Sequence, residues 1–203
     1  AAVLHQAEQL HVSRESWARI EQFVDLLLQW QQRINLISPA SIPNIWERHV
    51  IDSLQLLPIL PQGAKSVADL GSGSGFPALP LAIASGLTFH LYESNNKKAA
   101  FLREAMRVTG CKGEMHTERL TGQSPPQGYP VVDVVTARAL APLGGLIELA
   151  YPFLKSGAQA FFLKGQDVDQ ELTEATKYWR IQSTKHASLT DYLGIILAEQ
   201  EVS

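Results

Sequence analysis

The densest chemical signal in the chain is a run of alternating glycines introduced by an acid. Asp69-Leu70-Gly71-Ser72-Gly73-Ser74-Gly75-Phe76-Pro77 follows a short apolar stretch and precedes an apolar helical one. Glycines permit a tight turn and let a ligand approach the backbone closely. Pro77 suits the start of the following helix, where a missing N–H costs nothing. A dinucleotide fingerprint needs G-x-G-x-x-G, but here the third position would be Phe76. A P-loop is excluded, because no Gly-Lys-Ser/Thr follows. A second acid, Glu93, lies 18 residues past Gly75, at the end of the next apolar run. A carboxylate there can accept hydrogen bonds from both hydroxyls of a ribose. These features point to an adenosine-containing ligand. The alternatives are a tight turn without a ligand and, for Glu93, an ordinary acid at a helix start.

The D-x-G-x-G-x-G spacing resembles the first motif of the large Rossmann-like methyltransferase class. That resemblance implies S-adenosylmethionine as cofactor and S-adenosylhomocysteine as product. Asp69 and the backbone of Gly71, Gly73 and Gly75 would hold the amino-acid end. Methyl transfer from a sulfonium requires mainly orientation and exclusion of water. A base is needed only if the acceptor must lose a proton. Ser124-Pro125-Pro126 is followed by Gln127, not an aromatic, and precedes the fourth strand, so it reads as a turn. Cys111, beside Gly110 at a helix-to-strand turn, reads as structural. After the fourth strand comes Thr136-Ala137-Arg138-Ala139-Leu140, with no evident base. A ring nitrogen with a free lone pair, such as guanine N7, needs none.

The elements that must position these residues alternate. Ser13 caps a first helix with an apolar stripe at Trp17, Ile20, Val24, Leu27, Leu28 and Ile34. A second helical stretch covers 45–57. Strands are expected at 66–70, 88–92, 114–117, 131–136 and 158–163, with helices near 78–84, 97–108 and 146–154. Two last strands, 179–186 and 194–199, lack a long helix between them and should pair antiparallel at one edge. The expected fold is α/β: a mostly parallel seven-stranded sheet with helices on both faces and an N-terminal helical extension. The division falls at residues 1–62 for the extension and 63–203 for the catalytic domain.

Composition sets the outer limits. The 203 residues are 45% hydrophobic and 18% charged, enough for one sizeable core and unlike a disordered chain. No apolar run approaches a membrane span, and no secretion signal is evident, which suits a cytoplasmic protein. One cysteine leaves no internal disulfide or multi-cysteine metal site, and His49 has no second ligand at metal spacing, so no metal is expected. No heptad suggests more than a monomer. The net charge of −3 counts mildly against a nucleic-acid enzyme, although a local basic patch can bind phosphates on an acidic protein.

Several segments together resemble the bacterial small-subunit rRNA guanine-N7 methyltransferases, the glucose-inhibited division protein B family. They are the run 67–83, Gln29-Trp30 with Asn35-Leu36, Arg48-His49-Val50-Ile51-Asp52-Ser53, Lys97-Lys98 with Phe101-Leu102, Arg138-Ala139 and Leu163-Lys164-Gly165. The resemblance covers nearly the whole chain in order. It implies methylation of one guanine N7 in 16S rRNA, near the decoding centre, with 16S rRNA or the 30S subunit as partner. Gly71 and Phe76 would contact the cofactor, and Arg119 and Leu120 would border its adenine. Arg138 would reach the methionine end or the acceptor pocket as a positioning group. Lys164 and the Arg48-His49 region would face the RNA. Three positions depart from the family: Ala78 for a common Gly, Glu93 for a common Asp, and Asp191-Tyr192-Leu193-Gly194 without a common Arg.

Other readings of the same residues stand beside these. Arg48 and Asp52 could pair along a helix, and His49 and Asp52 could anchor the helical lobe. The basic stretch Lys97, Lys98, Arg103, Arg107, Lys112 and Arg119 is either a solvated face or a phosphate-binding one. Trp17 and Trp30 read as core. At the level of function, the alternatives are a methyltransferase for a small molecule or protein, and a non-catalytic nucleotide-binding module.

Overall fold

The structure is a computed structural model that describes residues 8–124, 128–190 and, as backbone, 194–199. Five parallel strands form its centre: β1 (Ser66–Leu70), β2 (Thr88–Tyr92), β3 (Gly113–His116), β4 (Val134–Arg138) and β5 (Gln159–Lys164). β6 (Gln182–His186) and β7 (Gly194–Glu199) complete the sheet in the order β3-β2-β1-β4-β5-β7-β6. β7 runs antiparallel between β5 and β6. The seven-stranded, mostly parallel sheet with an antiparallel edge is the one expected. β1 and β5 are buried on both faces, which is why their apolar residues are not confined to alternate positions.

Helices cover both faces. α1 (Arg14–Gln31) packs against α2 (Ala78–Ser85) and α3 (Asn96–Thr109). Its buried Ile20, Phe23, Val24 and Leu27 join one core with Val67, Phe89 and Phe101. Ser13 caps α1 by accepting from Ser16 N at 3.1 Å. α4 (Leu143–Lys155) and α5 (Val168–Ala175) close the opposite face over Leu70, Tyr92, Val135 and Phe162. Trp17 stacks on Trp46, and Trp30 packs against Phe101, so both serve the core as expected.

Four elements differ from expectation. The stretch 45–57 is not one α-helix: a π-helical segment, Trp46–Ile51, leads into a single α-turn, Asp52–Leu54, and a 3-10 turn at Leu57–Ile59. β4 starts at Val134, three residues later than its apolar run. Val131 is 77% exposed, and the strand begins only where it enters the ladders to β1 and β5. The Asp133 carboxylate accepts from Lys65 N and Ser66 N at that entry. α5 was not expected at all, yet Val168, Leu172 and Ala175 sit at i, i+4 and i+7 against the second core. β6 starts at Gln182, because Trp179 closes the turn after α5 instead. Of the turn expected at Ser124-Pro125-Pro126, residues 125 and 126 lie outside those described, as do residues 191–193 of the departure at 191–194.

Candidate active site

Chain order reverses between β1 and β4, and ligands in open α/β sheets bind at that point beyond the strand ends. A cavity of about 600 Å³ opens there. The glycine loop forms its floor with Gly71, Ser72, Gly73 and Ser74. Gly71, Gly73 and Gly75 all have positive φ (67°, 54° and 88°), which an L side chain adopts only under strain. The loop is pinned from both sides: Ser72 N donates to Tyr92 O at 2.9 Å, and Gly75 N to Ser72 O at 2.7 Å. The three glycines do different work. A Cβ on Gly75 would strike Leu79 Cδ1 at 2.8 Å and approach Phe23 Cζ at 3.2 Å, so this position packs the core. A Cβ on Gly71 would strike Leu140 Cδ1 at 2.6 Å. On Gly73 it would meet only Gly71 O at 3.6 Å and Glu93 Oε2 at 4.0 Å, leaving this backbone open to a ligand.

Glu93 stands beside the loop at the end of β2. Its Oε2 accepts from Gly73 N at 2.9 Å and its Oε1 from Asn95 N at 2.7 Å. A carboxylate has about four acceptor directions, so capacity remains for hydroxyls in the cavity. The adjoining wall is Tyr92, Lys98, Glu118, Arg119 and Leu120.

Asp69 is expected to hold the ligand directly, but it lies under the loop, 1% exposed. Its Oδ1 accepts from Thr136 Oγ1 at 2.6 Å, while Oδ2 has no partner among the described residues. Burial pushes the carboxyl up to about 6, against the Thr136 hydrogen bond and the Arg138 charge.

The opposite wall joins the N-terminal segment to β4. The His49 ring stacks on Phe76 at 5.0 Å between centroids, and the Arg138 guanidinium lies 5.3 Å from the centroid of the same ring. Arg138 Nη1 also donates to Arg48 O at 3.4 Å. Burial lowers the Arg138 pKa to about 10, opposed by the nearby Asp52 and Asp69 carboxylates. Burial first, then the Arg138 and Arg48 charges, push His49 down to about 3, so its imidazole is neutral at pH 7. His49 Nε2 lies 2.9 Å from Ser41 Oγ. Fully buried Asp52 accepts from Gln55 Nε2 at 2.7 Å and from Thr190 Oγ1 at 2.9 Å. Asp52 thereby ties the segment before β1 to the loop after β6.

Of the site residues named from sequence, Gly71, Gly73, Phe76, Glu93, Arg119, Leu120, Arg138, His49 and Lys98 line the one cavity. Asp69 and Gly75 lie beneath it, and Arg48 approaches it through its carbonyl. Lys164 is not where an RNA-facing role needs it. It is 7% exposed, donates to Ala141 O at 3.0 Å and pairs with Glu171 at 2.6 Å. The charge is consumed in joining β5 to α5. Arg107, from the basic stretch, is held by Glu104 in a two-pronged pair. Sequence reasoning missed Ala139 and Leu140, which line the cavity after Arg138. Ala139 has φ 52°, a strained value for alanine that no residue-type signal announces. It also missed Leu36 and Ile37 as cavity residues.

This sheet order, with a glycine loop after β1 and a carboxylate after β2, defines a Rossmann-like fold with a site for an adenosine-containing ligand. The fold aligns with a putative O-methyltransferase from Klebsiella pneumoniae at a TM-score of 0.60, with 10% identity over 90% of each chain. Sequence comparison is more specific. Residues 16–195 match the GidB family model, described as rRNA small subunit methyltransferase G, and the chain belongs to that family. It is 51% identical to the ribosomal RNA small subunit methyltransferase G of Bradyrhizobium sp. (strain ORS 278), over 92% of this chain and 85% of the relative. It is 46% identical to the protein of that name from Paramagnetospirillum magneticum, over 95% and 92%.

Proposed function

We propose that the protein transfers the methyl group of S-adenosylmethionine to N7 of one guanine in 16S rRNA, with the 30S subunit or its RNA as substrate. The observation that carries the reading is the single cavity that unites Gly73, Glu93, Phe76, His49 and Arg138. The residues fit the cofactor. Gly73 leaves room where a Cβ would intrude, Glu93 has spare acceptor capacity, and Asp69 offers a buried orphan oxygen under the loop.

When bound, the sulfonium supplies an activated methyl group. The chain's residues hold and orient. Glu93 would accept from the ribose, Arg119 and Leu120 would border the base, and Asp69 lies under the loop bonded to Thr136. Guanine N7 would offer a free lone pair to that methyl group, and no proton would have to leave, so the chain need supply no base. Neutral His49 and cationic Arg138 suit this chemistry. Neither removes a proton, and Arg138 can donate to guanine O6 while N7 stays free. Arg48, His49 and Lys98 form the RNA-facing rim. Residues 1–62 act as the helical extension that carries part of this rim, and residues 63–203 as the catalytic domain.

The test uses labelled S-adenosylmethionine with 30S subunits or stripped 16S rRNA from cells lacking the enzyme. Reductant and aniline then cut the RNA at N7-methylguanine. One cut is expected, absent with Gly73→Asp and Arg138→Ala. No label in either RNA, with S-adenosylhomocysteine binding intact, would move the acceptor to another molecule.

A further inference from the structure

Beyond the methyl-transfer site, β2 and β3 bring a second constellation together. In their parallel register His90 faces Glu114 and Tyr92 faces His116, so these side chains share one face of the sheet. His90 Nδ1 lies 3.1 Å from His116 Nε2. Glu114 Oε2 is 3.9 Å from the first nitrogen and 3.8 Å from the second. Both imidazoles are largely buried, with 15% and 19% of their side chains exposed, whereas Glu114 is 71% exposed and leaves an approach from solvent.

We propose that His90, Glu114 and His116 form a binding site for a divalent transition-metal ion of the zinc type, completed by solvent. Tetrahedral zinc with ligands at ~2.0–2.1 Å separates its donor atoms by about 3.3 Å. The observed triangle of 3.1, 3.8 and 3.9 Å lies close to that size. Two imidazoles and one carboxylate with an open position are a familiar donor set for this ion. The facing nitrogens are within hydrogen-bond distance of each other, and the cation would replace that contact. The collinear rings must tilt by roughly 30–40° to converge on a tetrahedral ion. A further carboxylate stands behind the site: Glu118 Oε1 is 3.8 Å from His116 Nδ1 and is placed to orient that ring. His90 joins Glu114 and His116 only across neighbouring strands, so the full set carries no spacing signal along the chain. This is why an absence of metal was expected from sequence.

The test is a titration of metal-free, tag-free full-length protein with Co2+, read by visible d–d absorption, and with Zn2+ against a chromophoric chelator. One equivalent of low-symmetry Co2+, displaced by Zn2+, is expected. Glu114→Gln is the variant least able to disturb the fold, and it should weaken Zn2+ binding at least about tenfold. His90→Ala and His116→Ala should weaken it at least about 100-fold, with folding checked by S-adenosylhomocysteine binding. Glu118→Gln should cost about tenfold. No d–d band at one equivalent, or Zn2+ affinity unchanged in Glu114→Gln and His90→Ala, would overturn the assignment.

Discussion

Replacing Gly73 and Gly75 separately by alanine should split cofactor binding from stability. Each glycine has positive φ, so each substitution costs about 1–2 kcal/mol in backbone strain. At Gly73 little else is added, because its Cβ meets nothing closer than 3.6 Å. At Gly75 the Cβ would lie 2.8 Å from Leu79 and 3.2 Å from Phe23, both fully buried. Overpacking of that kind adds about 1–3 kcal/mol, for a total of about 2–5 kcal/mol. A chain of this size loses about 2–4 °C in Tm per kcal/mol. Gly73→Ala should therefore unfold about 2–8 °C below the parent and Gly75→Ala about 4–20 °C below. Affinity should rank them the other way, since the Gly73 methyl points into the cavity. S-adenosylhomocysteine binding by calorimetry should weaken at least about tenfold, or 1.4 kcal/mol. Gly73→Asp should bind still less, because its carboxylate would face Glu93. If Gly73→Ala binds S-adenosylhomocysteine as tightly as the parent, the loop is a structural turn and the cofactor lies elsewhere.

Four further substitutions probe the charged and titratable side chains. Asp69→Asn should remove a carboxyl that folding holds at a raised pKa. Above about pH 6 that ionised group costs stability, so the variant should melt at or above the parent temperature at pH 7.5 while methyl transfer falls at least tenfold. A lower melting temperature at pH 7.5 would contradict the desolvation argument. His49→Gln should flatten the acid limb of stability. The folded pKa of about 3 lies below the unfolded 6.5, so the unfolded chain binds the extra proton and stability falls as pH drops through that window. Chemical denaturation at pH 7 and pH 4.5 should show a smaller difference for the variant. Lys164→Ala should cost about 2–3 kcal/mol, below the range for fully buried pairs because Glu171 is 24% exposed, with the salt dependence of RNA binding unchanged. Lys98→Ala should do the reverse, lowering the slope of log K against log salt by about 1 with little change in Tm. A slope change for Lys164→Ala and none for Lys98→Ala would exchange their roles.

The sheet was legible because its signals are local. β1 and β5 are mostly apolar, the glycines sit directly after β1, and α1 and α3 carry full apolar stripes. What escaped depended on contacts between distant segments. The stretch 45–57 has helical composition, yet Asp52 at its centre is drawn into hydrogen bonds with Gln55, Ser188 and Thr190, beside a π-helical segment. Two of those partners, Ser188 and Thr190, lie more than 130 residues away and leave no local trace. α5 is short and mostly polar, and it is fixed by Glu171 accepting from Leu143 N at 2.7 Å while pairing with Lys164. Lys164 reads from sequence as a free cation at a strand end, and only that helix shows why it is buried.

The same logic explains the arrangement around Arg138. Desolvation opposes every charge there: it raises Asp52 and Asp69 and lowers Arg138. None of the three would be tolerated alone in such a place, since an unpaired buried charge is strongly destabilising. Together they compensate, the guanidinium lowering both carboxyls and both carboxyls raising the guanidinium. Asp52 comes from the segment before β1, Asp69 from β1 and Arg138 from β4, and Phe76 from the glycine loop carries both the Arg138 guanidinium and the His49 ring. The charge balance is complete only when the N-terminal segment is docked. Docking therefore sets the electrostatics of the cavity wall built by His49, Phe76 and Arg138.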